Sequence, residues 1–418
     1  MASADPAPPA TSFHWTFQPV REFAAHRDVW ERLNDARGPT PLLSARFLEP
    51  LIAEFAAGDE LLATCRASGR VEAMAIVRQV GNGRWETFQP SQAPIGAWLQ
   101  REDIPSRELA ASLLRALPGF ALMFSITQQD PDLLTRPLND ECTSILDYIA
   151  TARITITETF ENYWERRGKN LKHNLKKQRA RLEKDGVRLT LDVVSRPEDV
   201  AQAIADYGVL ETAGWKAEGG TAISPDNAQG RFYRNLLERF CSVGKGGIYR
   251  YRFDDRVVAM DLCIEDNDTL VILKTTYDET IKSSSPAALM RQEAFKALFD
   301  SKRIKRIEFY GKIMEWHSRW SDEARTMYHI NCYRWPVVSA VWHIARAARR
   351  PPALPAASAS QSADMTWRFF PAAEFANHTQ AWHSLVAQRK RTPPYEPEFI
   401  EAMIAVPPSA FQPAVSST

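Results

Sequence analysis

The stretch from residue 269 to residue 298 combines side chains that could bind a charged ligand. Its sequence is TLVILKTTYDETIKSSSPAALMRQEAFKAL. It predicts an apolar strand over 270–274, then a polar loop with three serines, and a helix that begins at Pro286. Free N–H groups and the helix dipole converge at such an amino end, where serines can cap the helix. We interpret the stretch as a pyrophosphate site; an ordinary strand–loop–helix corner is the alternative.

The composition is that of a globular protein without strong overall charge. The 418 residues predict two or three domains, and a net charge of +1 excludes a general polyelectrolyte binder. Five scattered cysteines, with no CxxC pair or Cys/His cluster, predict reduced thiols, no metal site and a cytoplasmic location. No signal peptide or membrane span is expected. The apolar run 336–348 is interpreted as a docked helix, with interfacial membrane contact as the alternative.

Two series of elements follow each other in the same order. Each is predicted to read β-α-α-β-β-β-α-β, then an irregular piece and a further strand, which indicates two copies of one α/β unit. We expect a disordered tail over 1–12, a first unit over 13–150, a basic linker helix over 151–186 and a second unit over 187–350.

A third, partial copy follows a Pro/Ala/Ser linker at 351–365. Residues 366–385 align without a gap to residues 14–33, and nine of the 20 positions are identical, including two tryptophans. We expect residues 366–418 to repeat 14–66. Because one β-α-α piece cannot bury its apolar face alone, this tail is expected to contact another lobe or another chain, unless it is a poorly ordered relic.

The element order is that of the GNAT acyltransferase fold, in which acyl-CoA lies where the fourth and fifth strands separate. The second half also resembles the GNAT-type acetyltransferases associated with bacterial cellulose and exopolysaccharide synthesis, which are relatives of the Fem-type peptidyltransferases. The segments that carry the resemblance are RRGKNLKHNLKKQRARLEKDG at 166–186, TAGWKAEGG at 212–220, KTTYDETIKSSSPAALM at 274–290 and IEFYGKIMEWHSRW at 307–320.

The resemblance implies an α/β (α+β) fold with tandem GNAT-like units, mixed central sheets and acetyl-CoA as co-substrate. The second unit would be catalytic, and the first a scaffold. Two positions depart from the family pattern, which usually has Pro-Gly at Pro286-Ala287 and a lysine near His317. Since alanine adopts a positive φ only at a cost, we expect Ala287 to tighten the phosphate loop.

Acyl transfer from a thioester to an amine needs a proton acceptor, a donor to the carbonyl oxygen and an acid for the thiolate. The catalytic candidates are Asp278, Glu279, Tyr277 and Tyr310. The cofactor-binding candidates are Lys274, Thr275, Ser283, Ser284, Ser285, Ala287, Ala288 and Arg291. The substrate-binding candidates are Trp215, Lys216, Gly311, Trp316, His317 and Trp320. Turn chemistry explains Asp278 and Glu279 equally well, and core packing explains the aromatic residues.

The basic helix carries nine Lys and Arg residues between Arg166 and Lys184. A solvated charged face explains them, and so does an anionic partner such as CoA phosphates, an acidic glycan, a lipid surface or tRNA. We therefore expect a direct acyl-CoA-dependent N-acyltransferase that acts on an amino sugar or another small amine. A Fem-like aminoacyl-tRNA-dependent transferase and an inactive scaffold of a polysaccharide-synthesis complex are the alternatives.

Overall fold

The computed structural model describes residues 12–212 and 223–349, together with the single residue Thr379. The candidates Trp215 and Lys216 lie outside the described residues, as do residues 1–11 of the predicted tail, the whole predicted linker 351–365 and, apart from Thr379, the predicted repeat 366–418. The described helices are α1 Arg27–Ala36, α2 Ala45–Phe55, α3 Ser106–Ala116, α4 Phe160–Glu165, α5 Lys169–Lys184, α6 Pro197–Thr212, α7 Ala228–Cys241, α8 Pro286–Ser301, α9 Glu315–Ser318 and α10 Pro336–Arg349.

The described strands all belong to one sheet. They are β1 His14–Pro19, β2 Leu61–Ala67, β3 Arg70–Gly81, β4 Arg84–Thr87, β5 Trp98–Gln100, β6 Met123–Gln129, β7 Thr143–Thr155, β8 Leu189–Val194, β9 Gly246–Phe253, β10 Arg256–Asp266, β11 Thr269–Tyr277, β12 Arg306–Phe309 and β13 Glu323–Tyr333. The mixed α/β class expected from the sequence is confirmed.

The sheet runs through both halves of the described chain. Its order is β1-β2-β3-β4-β6-β13-β7-β12-β11-β10-β9-β8, and β5 pairs with β3 outside this path. The β4–β6 and β11–β12 pairs are parallel, and the other pairs are antiparallel. The two parallel pairs occupy equivalent places on either side of the centre, as two copies of one unit require.

The halves exchange strands at the centre of the sheet. β7 precedes the second series in sequence but pairs with β12, while β13 closes the second series but pairs with β6. β7 and β13 also pair with each other over nine residue pairs. The predicted boundary at residue 150 falls inside β7. The described residues up to Arg349 form one compact unit. The two predicted units therefore do not have separate sheets.

Turn residues explain the hairpins between consecutive strands. Asp254 between β9 and β10 and Asn267 between β10 and β11 have positive φ, and Gly83 has it between β3 and β4. Polar residues and glycine tolerate this conformation, which reverses the chain between adjacent strands. The basic linker helix predicted over 151–186 is instead the end of β7 followed by α4 and α5, and the chain is extended at Gly168 between the two helices.

The buried residues form layers on the two faces of the sheet. Alternation along β12 shows the division, since Ile307 and Phe309 pack towards α4, α5 and α8, whereas Tyr310 packs against the cluster that contains α6 and α7. Among the described residues, no helix combines the length and hydropathy that a membrane crossing requires.

Candidate active site

β11 and β12 separate at the centre of the second half. They pair in parallel from Thr269 with Arg306 to Ile272 with Phe309, and there β12 ends. β11 continues to Tyr277 without a partner on that side. The separation leaves a wedge between β11, which continues, and β12, which ends. The resemblance found in the sequence implies that the acyl thioester would lie in this wedge.

A bulge in β11 coincides with this separation. In the pairing with β10, Leu262 lies opposite Lys274 and Cys263 lies opposite Ile272, so Leu273 is the extra residue. Leu273 thus has no paired residue on β10 or on β12. Bulges often re-aim backbone groups beside functional sites. A backbone N–H in such a place is suited to donate to a carbonyl oxygen on which negative charge develops.

A cavity of about 510 Å³ opens beside the wedge and is shared by the two halves. The second half contributes Tyr233, Ile272, Leu273, Tyr310, Gly311 and His329. The first half contributes Glu86, Gln89, Pro90, Ser91, Gln92, Ala93, Pro94, Thr127, Gln128 and Tyr148. Most of the polar lining is uncharged. Amide, hydroxyl and aromatic side chains of this kind suit a small polar ligand.

His329 has a defined hydrogen-bonding role at this cavity. Its Nδ1 accepts a hydrogen bond from the backbone N–H of Gln128 at 3.0 Å. In the neutral ring this places the proton on Nε2, which makes that atom a donor. The ring of Tyr148 lies edge-on to His329, with the ring centroids 4.8 Å apart.

The equivalent wedge in the first half is closed. Thr87 and Thr127, beyond the last β4–β6 pair, share a hydrogen bond of 2.7 Å between their hydroxyls. Gly96 packs onto them, and a Cβ at this position would lie 2.4 Å from Thr87 Oγ1 and 2.6 Å from the Thr127 carbonyl oxygen. Only glycine fits this approach. The loop that returns through Gly96 thus fills the space between the ends of β4 and β6.

The loop between β11 and α8 forms the predicted corner. Asp278 caps a 3-10 turn over Glu279–Ser284 by accepting from the Thr280 amide at 3.0 Å, and it is paired with Arg256. Its carboxylate is therefore engaged in the turn chemistry that the sequence left as an alternative. Glu279 is half-buried, and the catalytic candidate Tyr277 is exposed.

The strained residue of the corner is Ser285. It has φ +53° and ψ +47° immediately before α8, and its hydroxyl accepts from Asn174 Nδ2 on α5 at 3.1 Å instead of capping the helix. Ala287 lies within α8 and is not among the residues with positive φ. The expectation that Ala287 tightens the loop is therefore wrong, because the left-handed conformation falls two residues earlier and alanine is a good helix former.

Two predicted cofactor contacts are engaged elsewhere. Lys274 Nζ lies 2.8 Å from the buried carboxylate of Glu211. Arg291 is buried, donates to Thr275 Oγ1 at 2.6 Å, and lies with its guanidinium 4.2 Å from the Trp316 ring centroid. These partners leave the predicted phosphate contacts of both cations without support.

The corner itself is lined by other polar residues. Ser283 and Lys282 are exposed, Ser284 and Ala288 are half-buried, and Lys282 has no ion pair among the described residues. Lys282 and the α5 residue Asn174 are therefore the additional candidates for contacting an anion at the α8 amino end. The sequence analysis did not select either of them.

The aromatic residues after β12 belong mostly to the core. Trp320 is fully buried, and the rings of Trp316 and His317 stack at a centroid distance of 3.6 Å. Burial and the nearby Arg291 lower the pKa of His317 to about 4, so the ring is neutral. All three pack with α8, on the opposite face from Tyr310. The arrangement supports the packing interpretation. Of the predicted substrate contacts that the structure describes, only Gly311 lines the cavity.

Tyr310 connects the cavity to a buried charge cluster. Its hydroxyl donates to Asp130 Oδ2 at 3.0 Å. Arg325 donates to the same carboxylate from Nε at 2.9 Å and from Nη2 at 2.6 Å, and its Nη2 lies 2.8 Å from Glu308 Oε2. All three charged side chains are almost inaccessible to solvent. Two carboxylates thus share one arginine, and we call Asp130, Glu308 and Arg325 the carboxylate–arginine cluster.

The two carboxylates of this cluster have opposite pKa shifts. Burial opposes ionisation of Asp130, but the hydrogen bonds and charge of Arg325 outweigh it and lower its pKa. Burial raises the pKa of Glu308 to about 7, helped by Asp130 and only partly opposed by Arg325. Burial and both carboxylates also keep the pKa of Tyr310 well above its usual value.

The sequence contained one signal for this cluster. Glu308 is a charged residue between the apolar residues Ile307 and Phe309 of β12, where alternation places it on the face of Tyr310. No local sequence pattern indicates that Asp130 and Arg325 are partners, because they are 195 positions apart. Within residues 12–212 and 223–349, no three side chains of metal-ligating type are grouped as a metal site would need.

Comparison with known protein families identifies the catalytic class. Residues 169–318 match the model described as "Acetyltransferase (GNAT) domain". This segment contains α5, the bulged strand β11, the corner and β12, so the family match and the geometry select the same region. Residues 169–318 are therefore similar to a GNAT acetyltransferase domain, and the expectation of an acyltransferase is confirmed at that level. No curated protein matches the sequence.

Several solved structures are similar over most of the chain at low identity. FemX is 8% identical and covers 75% of this chain and 98% of its own, with a TM-score of 0.48. L-PGS from Bacillus licheniformis is 13% identical, and the match covers 77% of this chain and 97% of L-PGS, with a TM-score of 0.43. A tandem GNAT protein from the clavulanic acid biosynthesis pathway is 11% identical, and the match covers 76% of this chain and 98% of that protein, with a TM-score of 0.39. At these scores no substrate is inferred from them.

The backbone of Ser285 gives a stability prediction. A non-glycine residue in the left-handed region is strained by about 1–2 kcal/mol. Ser285→Gly and Ser285→Ala both lose the bond from Asn174, so we expect the glycine variant to be the more stable by about 1 kcal/mol. Ser284 lacks the positive φ, and there we expect alanine to be the more stable. Urea unfolding of the four variants measures both differences, and the same order at both positions would contradict the assignment.

The buried Glu308 gives a pH dependence of folding. The unfolded pKa is 4.5 and the folded pKa about 7, so the folded state binds the extra proton between these values. The contribution of Glu308 to the free energy of unfolding is fully present below pH 4.5, and it is lost as the pH rises through about 7. Glu308→Gln should therefore gain about 2–3 kcal/mol relative to wild type between about pH 5 and about pH 8. Glu183→Gln, at an exposed position of α5, should show no such gain in the same titration.

Proposed function

We propose that this protein is an acyl-CoA-dependent N-acyltransferase that transfers acetyl directly from the thioester to a small amine. The observation that carries the proposal is the separation of β11 from β12 at Leu273, which opens onto the shared cavity. The thioester would lie in this wedge, the pyrophosphate at the corner before α8, and the acceptor in the cavity. No residue of this arrangement is needed as a covalent acyl carrier.

The corner supports the cofactor assignment by its electrostatics. α8 has 16 residues, so its amino end carries the partial positive charge of a full helix dipole. Its first residue is a proline, which leaves the Ala287 amide as the first donor of the helix. Lys282 adds a mobile positive charge on the preceding turn. A pyrophosphate group is favoured at such a site because donors and charge act on the same atoms.

The carboxylate–arginine cluster supports the assignment of the proton acceptor. An amine must lose a proton as it attacks the thioester, and an ionised carboxylate that is hydrogen-bonded to a group lining the cavity can take it. Tyr310 donates its own proton to Asp130, so its oxygen lone pairs remain to accept one from the amine. The proton would pass from the amine nitrogen to Tyr310 Oη while the Tyr310 proton moves to Asp130. Asp130 and Glu308 share Arg325 and titrate as a pair.

The lining of the cavity supports an amino sugar as acceptor. Gln89, Gln92 and Gln128 present amide groups, and Tyr148 and Tyr310 add hydroxyls on aromatic rings. Several uncharged donors and acceptors around aromatic surfaces fit a polyhydroxylated ligand with one amine. The link to cellulose or exopolysaccharide synthesis rests on the sequence resemblance alone. A cytoplasmic location is likewise proposed from the cysteines, all five of which are free.

A second candidate function is favoured by the surface of α5. Lys169, His173, Lys176 and Lys177 are exposed along one side of this helix, and Asn174 on its inner side contacts the corner. A row of cations next to the cofactor site is what an aminoacyl-tRNA donor would need. An inactive scaffold within a polysaccharide-synthesis complex is the third alternative, and the open wedge gives it no support.

Binding of acetyl-CoA tests the corner. Ala287→Glu places a carboxylate in the first turn of α8, where the dipole favours it, so folding should be unaffected while phosphate binding is repelled. We expect calorimetry to show at least about a tenfold loss of acetyl-CoA affinity. Ala297→Glu is the matched control, since it adds the same charge at an exposed position about 15 Å along the helix.

The wild-type result separates the three functions. Binding of acetyl-CoA supports the proposal. Absence of that binding, together with strongly salt-dependent tRNA binding, would replace it with the Fem-like transferase. Absence of both would leave the scaffold.

The pH dependence of turnover tests Tyr310. With acetyl-CoA and the best of a panel of amino sugars, kcat/KM should rise through about pH 7 as the carboxylate pair loses its proton. Tyr310→Phe should lower kcat by roughly a hundredfold or more and leave the acetyl-CoA Kd unchanged. Tyr251→Phe is the control. The Tyr251 hydroxyl also donates to a carboxylate, that of Glu293 at 2.6 Å, but Tyr251 lies on the other face of the sheet. Equal rates for the two variants would remove Tyr310 from the mechanism.

A further inference from the structure

A second large cavity lies in the first half, at the amino end of α3. Its volume is about 690 Å³. Its walls are Arg37 at the end of α1, the loop that leads from β5 into α3, and the segment 131–138 after β6. This cavity shares no lining residue with the cavity beside the wedge. Since ligand sites commonly have volumes of this size, it is a separate candidate site.

The guanidinium of Arg37 is a buried positive charge at this cavity. Arg37 is 5% exposed, and it donates to the Trp98 carbonyl oxygen at 3.2 Å and to the Leu133 carbonyl oxygen. These bonds use two of its five N–H groups. Among the described residues, no carboxylate forms an ion pair with it. Burial lowers the pKa of Arg37 to about 10, so the group is still charged at neutral pH. Because a buried charge is costly unless it is paired, Arg37 favours a negatively charged ligand.

The amino end of α3 adds hydrogen-bond donors that are not used by the protein. α3 has 11 residues, and its N-cap residue is Pro105, which offers no capping side chain. Ser106 lines the cavity and is 5% exposed, and its hydroxyl makes no hydrogen bond within the described part of the chain. The amides of Ser106 and Arg107 have no acceptor there either. Hydroxyl, amides, helix dipole and Arg37 therefore act on one cavity, and all four favour an anion.

The other charged residues of the lining do not cancel this preference. Four of them form ion pairs with residues outside the lining. These pairs are Asp103–Arg70, Arg107–Asp140, Asp132–Arg153 and Arg136–Asp147. Glu102 has no ion pair among the described residues, but it is exposed and therefore hydrated. Glu108, in the first turn of α3, is exposed and does not line the cavity. The buried charge without a counter-ion is thus positive.

We propose that this cavity binds a small organic molecule through an oxyanion group, either a phosphate or a carboxylate. The oxyanion accepts hydrogen bonds from the Arg37 guanidinium, the Ser106 hydroxyl and the first amides of α3. Prolines and leucines of the segment 131–138 supply an apolar wall, so the rest of the ligand is expected to be partly apolar. None of the residues assigned to acyl transfer contributes to this site, so the two assignments are tested separately.

Calorimetry of the full chain with phenyl phosphate and with benzoate tests the proposal. The titrations use an Ala287→Glu background, so that the corner before α8 does not add a second anion site. We expect saturable binding of at least one probe, and the tighter probe identifies the oxyanion. Arg37→Met should reduce its affinity by at least about tenfold. Arg334→Met is the matched control, because Arg334 Nη1 likewise donates to two backbone carbonyl oxygens, those of Leu114 and Ala121, away from this cavity.

Ser106→Asp tests the same site without a ligand. The new carboxylate lies at the first residue of α3, where the dipole favours it, and provides a counter-ion for Arg37 inside the cavity. We expect its melting temperature to exceed that of the wild type by about 2 °C or more, and binding of both probes to be lost. Ser106→Ala, which adds no charge, should not raise the melting temperature.

Three results would overturn the proposal. One is the absence of saturable binding of both probes at millimolar concentration when Arg37 and Ser106 are intact. Another is equal affinity of the Arg37→Met and Arg334→Met variants for the tighter probe. The third is a melting temperature of Ser106→Asp below that of Ser106→Ala, which would show that the cavity disfavours negative charge. This last comparison remains decisive if Arg37→Met does not fold.

Discussion

The guanidinium of Arg325 is the interaction on which the junction of the two halves depends. It lies on β13, in the last part of the second series, and reaches Asp130 beyond β6 and Glu308 on β12. Asp130 and Arg325 are the ionised pair of the cluster, and removing one partner of such a buried pair typically costs about 3–5 kcal/mol. Apolar residues of similar volume can often replace a buried ion pair without loss of stability. Under the proposed function, the connection of the pair to the cavity through Tyr310 gives it a chemical role.

The strand exchange makes that junction rigid. β7 and β13 pair along nine positions and each also pairs with the other half, so the floor of the cavity is part of one continuous ladder. The loops that line the cavity rise from this floor, with 89–94 from the first half and 310–311 from the second. A site held between two loops on one sheet does not require closure of a hinge before its groups are in position.

Local patterns in the sequence predicted what local geometry determines. The strands and hairpins around β11, the start of α8 at Pro286 and the candidates Tyr310 and Gly311 all follow from short stretches. Partners far apart in sequence were not predictable, which is why Lys274 was expected to bind phosphate although Glu211 neutralises it. The positive φ was misplaced at Ala287 because it depends on where the preceding 3-10 turn ends, and this is at Ser285.

The closed wedge of the first half changes what the duplication means. Thr87, Thr127 and Gly96 fill the space between the strand ends of the first half, whereas Leu273 leaves the ladder in the second. The loop that closes the first wedge continues from residues 89–94, which line the cavity in front of the second. The same segment thus closes the first wedge and forms the far wall of the cavity beside the second. Under the proposed function, the first half is therefore the acceptor side of a single active site, which is a more specific role than that of a scaffold.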